Sequence, residues 1–297
     1  MKGFLHPIGI VCLLIASSCN KDDAILADLP ADRASCNRVY EYLPAPGQFI
    51  NENCTATTPA EACAWAEERL KSGSGFVSLG GFGGYVVVGF DHRVACTGGY
   101  DLAVDGNPLD TSSEPGIVYV MPDTNGDGLP NDTWYELKGS EHGKPTTWRD
   151  YAVTYHRPEK GDSEVRWDDD RGGSGTIARV GYHRQASYYP AWVEGDSYTL
   201  RGTRLEARNY FDGLQWICPP YEWGYADNLS PVDCVPGTAT SANRFRIADA
   251  IGADGEPVEL AYIDFVKVQT GVQAQSGPLG EASTEVFAVR DLSVSAR

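Results

Sequence analysis

From residue 76 onward the chain is a succession of short runs rich in valine, isoleucine and tyrosine, at 76–79, 85–90, 117–121, 151–155, 198–200, 263–268 and 285–289, with glycine, proline, asparagine and aspartate punctuating the stretches between them. β-Branched and aromatic side chains suit a pleated, half-buried surface, and turn residues stop each run before a helix could build up. A chain punctuated in this way must bury its apolar faces by packing sheet on sheet. Tyr85-Val86-Val87-Val88 is apolar throughout and should be covered on both sides, whereas 263–268 alternates as a strand with one wet face should. No repeat of fixed period is present, which argues against a propeller. The expected fold class is all-β, a β-sandwich of jelly-roll type.

One helix is predicted. Thr58-Pro59-Ala60-Glu61 has the pattern of a capping box with proline at the first helical position. Ala62, Cys63, Ala66 and Leu70 follow at helical spacing, and Gly73 can end the helix. Its amphipathic face should lie on the main domain.

The N-terminus reads as an address. Lys2 precedes an apolar stretch at 8–15, and the small residues Ala16, Ser17 and Ser18 lead into Cys19. The stretch is too short to span a bilayer, which takes roughly 20 apolar residues, and fits a signal peptide. Small residues before a cysteine resemble a bacterial lipobox, with alanine at position 16 where leucine is commoner. Asn20-Lys21-Asp22-Asp23 resembles the lysine-plus-acidic export signal of Bacteroidota surface lipoproteins. The expected organisation is a signal peptide at 1–18, lipidation at Cys19, a tether at 19–35 and a single β-sandwich domain at 36–297 with a helical N-terminal extension. The expected location is the outer membrane, with the chain anchored only by lipid and facing the exterior.

Export bears on the cysteines. Beyond Cys12 and Cys19, Cys36, Cys54, Cys63, Cys96, Cys218 and Cys234 remain, an even number that reads as disulfides outside the cytoplasm. Cys218 and Cys234 bracket one loop and are expected to pair, which leaves the first four to pair among themselves. A net charge of −17 repels phosphate backbones and makes nucleic acid an unsuitable partner.

Two segments could carry binding chemistry. In Asp123-Thr124-Asn125-Gly126-Asp127-Gly128-Leu129-Pro130-Asn131-Asp132, oxygen-bearing side chains alternate as in the first half of a calcium loop. Asp123, Asn125, Asp127, Asn131 and Asp132 are the expected ligands of a structural calcium ion. Trp134 stands where an EF-hand has glutamate, and an Asn-Gly/Asp-Gly hairpin turn is the alternative reading. The second segment is aromatic. Trp216, Tyr221, Trp223 and Tyr225 lie in or beside the loop between Cys218 and Cys234, and Tyr188 and Trp192 form a nearby group in sequence. Flat apolar faces bind sugars and macrocycles, with a few polar groups fixing orientation. Trp223 and Tyr225 are expected to stack on a ligand and Asp227 and Asn228 to orient it, with Tyr188 and Trp192 next in line or part of the core.

Catalytic signatures are scarce. No Gly-x-Ser-x-Gly elbow, His-Glu-x-x-His or P-loop is present. Asp91-His92 and Glu114 are the acidic and basic groups best placed for chemistry, but carboxylate pairs have almost no specificity in so acidic a chain. The expectation is a non-enzyme.

The run Ser78-Leu79-Gly80-Gly81-Phe82-Gly83-Gly84-Tyr85-Val86-Val87-Val88-Gly89-Phe90-Asp91-His92 resembles Bacteroidota lipoproteins catalogued as cell surface proteins, of the kind that accompany TonB-dependent transporters. Ser113-Glu114-Pro115-Gly116-Ile117-Val118, Trp134-Tyr135-Glu136-Leu137, Ile263-Asp264-Phe265-Val266-Lys267-Val268 and Gly280-Glu281-Ala282-Ser283-Thr284-Glu285 fit the same pattern. The resemblance spans about residues 38–295 and implies capture of a corrinoid or a glycan for such a transporter. It brings no catalytic residues. A glycan-degrading hydrolase and a structural adhesion module are the alternatives.

Overall fold

The computed structural model describes residues 34–73 and 75–293. Cys19, the expected signal peptide at 1–18 and the expected tether as far as residue 33 lie outside the described residues. No helix among the described residues is long and apolar enough to cross a membrane.

Strand β1 (Arg38–Leu43) precedes helix α1 (Pro59–Ser72), after which strands follow one another. They are β2 (Val77–Ser78), β3 (Tyr85–Ala95), β4 (Leu102–Gly106), β5 (Gly116–Met121), β6 (Tyr135–Leu137), β7 (Trp148–His156), β8 (Val165–Asp169) and β9 (Ser174–Ile177). The second half adds β10 (Ser197–Arg204), β11 (Tyr210–Phe211), β12 (Trp216–Ile217), β13 (Cys234–Val235), β14 (Ser241–Phe245), β15 (Ala250–Ile251), β16 (Tyr262–Thr270), β17 (Glu285–Val286) and β18 (Ala288–Asp291). The protein is mostly β, with 37% strand; the described residues hold one α-helix and several antiparallel sheets, none closed into a barrel.

The largest sheet has the order β1-β3-β16-β5-β6-β15. A second, β13-β14-β4-β18, shares a core with it: Val86, Val88, Val120 and Val268 of the first pack in one cluster with Leu102, Val104, Phe245 and Val289 of the second. Each such side chain contributes about 1.5–3 kcal/mol when fully buried. A third sheet, β10-β7-β8-β9, has its own cluster around Phe82, Tyr151, Tyr155 and Leu200. The all-apolar 85–88 stretch is shielded as expected, with Val86, Val87 and Val88 all buried. In β16 a register shift between Ile263 and Phe265 breaks the alternation, so Phe265 and Val266 are both buried. The side of β16 expected to be wet is instead lined with rings: Lys267 Nζ lies 4.2 Å from the centre of the Tyr119 ring and 5.2 Å from that of Trp134.

Helix α1 forms where its signals placed it. Thr58 Oγ1 accepts from the Glu61 amide at 3.3 Å, and Glu61 Oε2 accepts from the Thr58 amide at 3.2 Å. Gly73 ends the helix in the left-handed region, at φ 59°. Ala62, Ala66 and Leu70 are buried, and the small alanines let the helix lie close on β1. Replacing Thr58 by alanine should remove the cap and cost about 1 kcal/mol, seen as a lower denaturation midpoint with an unchanged slope.

The expected Cys218–Cys234 disulfide is absent. All six cysteines from Cys36 to Cys234 are free thiols in the structure, so the expected pairing among Cys36, Cys54, Cys63 and Cys96 is absent too. Cys218 follows β12 and its backbone bonds to the 111–113 segment, through its amide to Thr111 O at 2.7 Å and its carbonyl to Ser113 N at 3.0 Å. Cys234 opens β13, opposite Asn243 of β14, in a different sheet from β12. The two ends of the loop are thus drawn to separate partners. The aromatic group at 188–192 belongs to the interior: Tyr188 donates to His183 O at 3.0 Å, and the Trp192 indole donates to Tyr42 O at 3.3 Å and packs on the Tyr42 ring.

Candidate functional site

A wide cleft of about 960 Å³ lies where the β11–β12 hairpin faces the 107–114 loop and the 277–279 turn. Its rim is apolar and open to solvent. Leu214 is 86% exposed, Leu109 65%, Phe211 55% and Leu279 53%, a concentration that is costly to leave in water. Phe211 and Trp216 stand side by side across the hairpin, ring centres 5.9 Å apart. Gly277 permits the approach of Trp216, since a Cβ there would stand 2.6 Å from the indole Nε1. Asn107, Thr111, Ser112, Gln215 and Gln48 supply polar groups between the apolar ones.

Two carboxylates, Glu114 and Glu285, line the same cleft. Behind them lies Asp227, and carboxylate oxygens of the three residues all lie within 4.8 Å of one another. The backbone brings them together. Asp227 adopts φ 49°, a left-handed conformation that aspartate tolerates. From there its Oδ1 accepts from Asn107 N and its Oδ2 from Glu285 N, both at 2.9 Å, while its carbonyl accepts from Glu114 N at 3.0 Å. Gly106 leaves the space, because a Cβ there would meet Asp227 Oδ1 at 2.6 Å. Glu114 Oε1 accepts from Ser283 N at 3.2 Å, and its carboxyl stands beside that of Glu285.

Burial and mutual repulsion favour the protonated forms of these groups. Burial, with the neighbouring Glu281 charge, pushes the Glu114 carboxyl up to about 7 despite the Ser283 amide. Burial raises Glu285 well above the usual carboxylate range, and the Glu114 and Asp227 charges add to it. Asp227 is raised in the same direction by burial and then by Glu114. Glu281, buried nearby in sequence, is pushed up to about 8 by burial. Oε1 of Glu285 and Oε2 of Glu281 are buried without a hydrogen-bond partner.

The structure separates the residues expected to bind ligand. Trp223 is half-buried and lines a different, smaller cavity of about 230 Å³, together with Tyr100, Lys138, Asp233, Arg244 and Arg246. Tyr225 is buried, accepts from the Glu141 amide at 3.0 Å and packs against Tyr221. Asn228 is buried and closes its own loop, accepting from Tyr221 N at 2.8 Å and donating to Tyr221 O at 2.9 Å. Asp227, also buried, acts as described above. Tyr225 and Asn228, expected to stack on and orient a ligand, are buried and brace the loop. The acidic 123–132 loop is the exposed link between β5 and β6, and its side chains serve the turn itself. Asp123 accepts from Gly126 N and Gly128 N, Asn125 Oδ1 from Asp127 N, and Asp127 from Leu129 N and the Asn131 side chain. Asp132 accepts from Thr124.

No family model matches this chain, and no curated protein matches it. The geometry therefore carries the reading. Sequence reasoning passed over Phe211, Leu214 and Glu285 and weighed Glu114 only as a possible acid. A usable signal was present in Ser113-Glu114-Pro115-Gly116 and Gly280-Glu281-Ala282-Ser283-Thr284-Glu285, where carboxylates stand among small residues that lead into buried strands.

Proposed function

We propose that this protein is a lipid-anchored surface protein, built on a jelly-roll-type sandwich, that captures a ligand in the cleft between the β11–β12 hairpin and the 107–114 loop. The ligand is a corrinoid or a glycan, handed on to a TonB-dependent transporter. The observation that carries the reading is the open, apolar rim of Leu109, Phe211, Leu214, Trp216 and Leu279 around a cleft with interspersed amides and hydroxyls. Such a surface fits a molecule with flat apolar faces and hydroxyl or amide edges. The close approach of the Glu114 and Glu285 carboxylates, whose oxygens lie within 4.8 Å of each other, favours binding over glycoside hydrolysis, in which two carboxyls flank the scissile bond at about 5–9.5 Å.

Calorimetric titration of the purified protein with cobalamin and with a panel of oligosaccharides tests the reading. Trp216→Ala should weaken binding of the recognised ligand by roughly 1–3 kcal/mol, as expected for loss of a central aromatic, with the melting temperature hardly changed because the hairpin is open to solvent. Failure of every probe to bind, or undiminished binding by the variant, would move the function away from this cleft.

A further inference from the structure

We propose that Glu114, Asp227 and Glu285 hold one hard divalent cation, calcium by its fit, at the floor of the cleft. The proposal does not depend on which organic ligand the cleft captures.

The distances suit a shared ion. Two oxygens each about 2.4 Å from calcium stand at most about 4.8 Å apart, and the three carboxylates here already fall within 4.8 Å of one another. Little side-chain movement is needed to bring all three onto one ion. The donor set is oxygen only, with no histidine or cysteine in the group, which selects hard cations over zinc or copper. Glu285 gives a second indication. The residue is 3% exposed, lines the cleft, and its Oε1 is buried without a hydrogen-bond partner. A buried carboxylate oxygen with nothing to accept from is costly, and a cation beside it removes that cost.

No basic side chain is among the groups that act on these carboxyls. Those groups are one another, Glu281, backbone amides and Ser283. Asp227 uses each oxygen once, for Asn107 N and Glu285 N, and a carboxylate oxygen has a further lone pair. Calcium takes six to eight oxygens. Carboxylates of Glu114, Asp227 and Glu285 fill one side of the shell, and the side toward the cleft is left for water or for hydroxyl oxygens of a captured molecule. In the 123–132 loop, by contrast, the carboxylates are engaged by the turn's own amides.

The test is calorimetric titration of the full mature chain with calcium chloride alone, alongside thermal unfolding with chelator and with millimolar calcium. Wild type should bind one ion and melt higher with calcium. Glu285→Gln should weaken binding at least tenfold, while Asp127→Ala leaves it within twofold. Should Glu285→Gln fail to fold, terbium luminescence replaces it. Emission excited through tryptophan should fall strongly in Trp216→Phe, which lines the cleft, and should be displaced by calcium. Absence of any calcium binding by wild type would overturn the proposal. So would binding lost in Asp127→Ala but retained in Glu285→Gln, or terbium emission unchanged in Trp216→Phe.

Discussion

In the presence of chelator, the melting temperature should fall as the pH is raised from 5 to 8, the reverse of ordinary acid denaturation. Glu281, 1% exposed, and Glu114 have carboxyls held up to about 8 and about 7 against an ordinary 4.5. The folded protein therefore binds more protons than the unfolded chain across this range. Their contribution is complete below about 4.5 and is lost as the pH rises through 7 and 8. Asp227 and Glu285 act in the same direction, as does His92, raised by Asp291 and Asp91 against its own burial. Carboxyls held low, such as Glu67 and Asp169, act only at more acid pH, and Lys267, lowered to about 8 by burial, acts only above it. For Glu281 alone the effect is on the order of a few kcal/mol. Differential scanning calorimetry at fixed ionic strength measures it, and Glu281→Gln should flatten the upper part of the profile. A melting temperature that climbs over this range would show that these carboxyls are ionised in the folded protein.

Gly84→Ala should abolish cooperative folding altogether. The run Gly80-Gly81-Phe82-Gly83-Gly84 looks in sequence like a flexible link, yet all five residues are buried. Leu79 O accepts from Ala45 N at 3.0 Å, and a Cβ on Gly84 would sit 1.8 Å from that oxygen and 2.3 Å from that nitrogen. Both obstacles are backbone, so no side chain can turn aside. The loss should exceed about 4 kcal/mol, in the range reserved for severe steric and buried-polar defects. Soluble yield and the presence of a cooperative urea transition decide it, and a variant that unfolds cooperatively near the wild-type midpoint would contradict the packing described.

Local signals were legible and long-range ones were not. The helix was readable because capping box, apolar spacing and terminal glycine all fall within 58–73. The main-sheet runs at 85–90, 117–121 and 263–268 were readable because valine-rich sequence reports burial directly. The run at 285–289 was seen as one strand but is divided, with Glu285–Val286 pairing with β2 and Ala288–Asp291 with β4, since nothing local marks a change of partner. Burial of Asp227 and Asn228 was hidden for a similar reason. A polar pair after Gly224 reads as exposed, and only its amide partners on the 107 loop, β17 and Tyr221 account for its place inside. The carboxylate floor joins residues 114, 227 and 285, which no window along the chain brings into view. Phe211 and Leu214 carried no pattern because a two-residue strand offers no periodicity to read.

The position of β16 sets the order in which the molecule can be completed. Phe265–Thr270 bonds to β5 on one side and Phe265–Gln269 to β3 on the other. A chain emerging N-terminus first therefore makes both neighbours long before the strand that joins them. Until then each presents an unpaired edge rich in valine, the kind of edge that adheres to other chains. Chain closure over so long a span is slow, in the range of milliseconds to seconds for all-β proteins. A nascent chain of this kind depends on being kept apart from its neighbours until its last strands arrive. Truncation before residue 262 would not leave a smaller working unit.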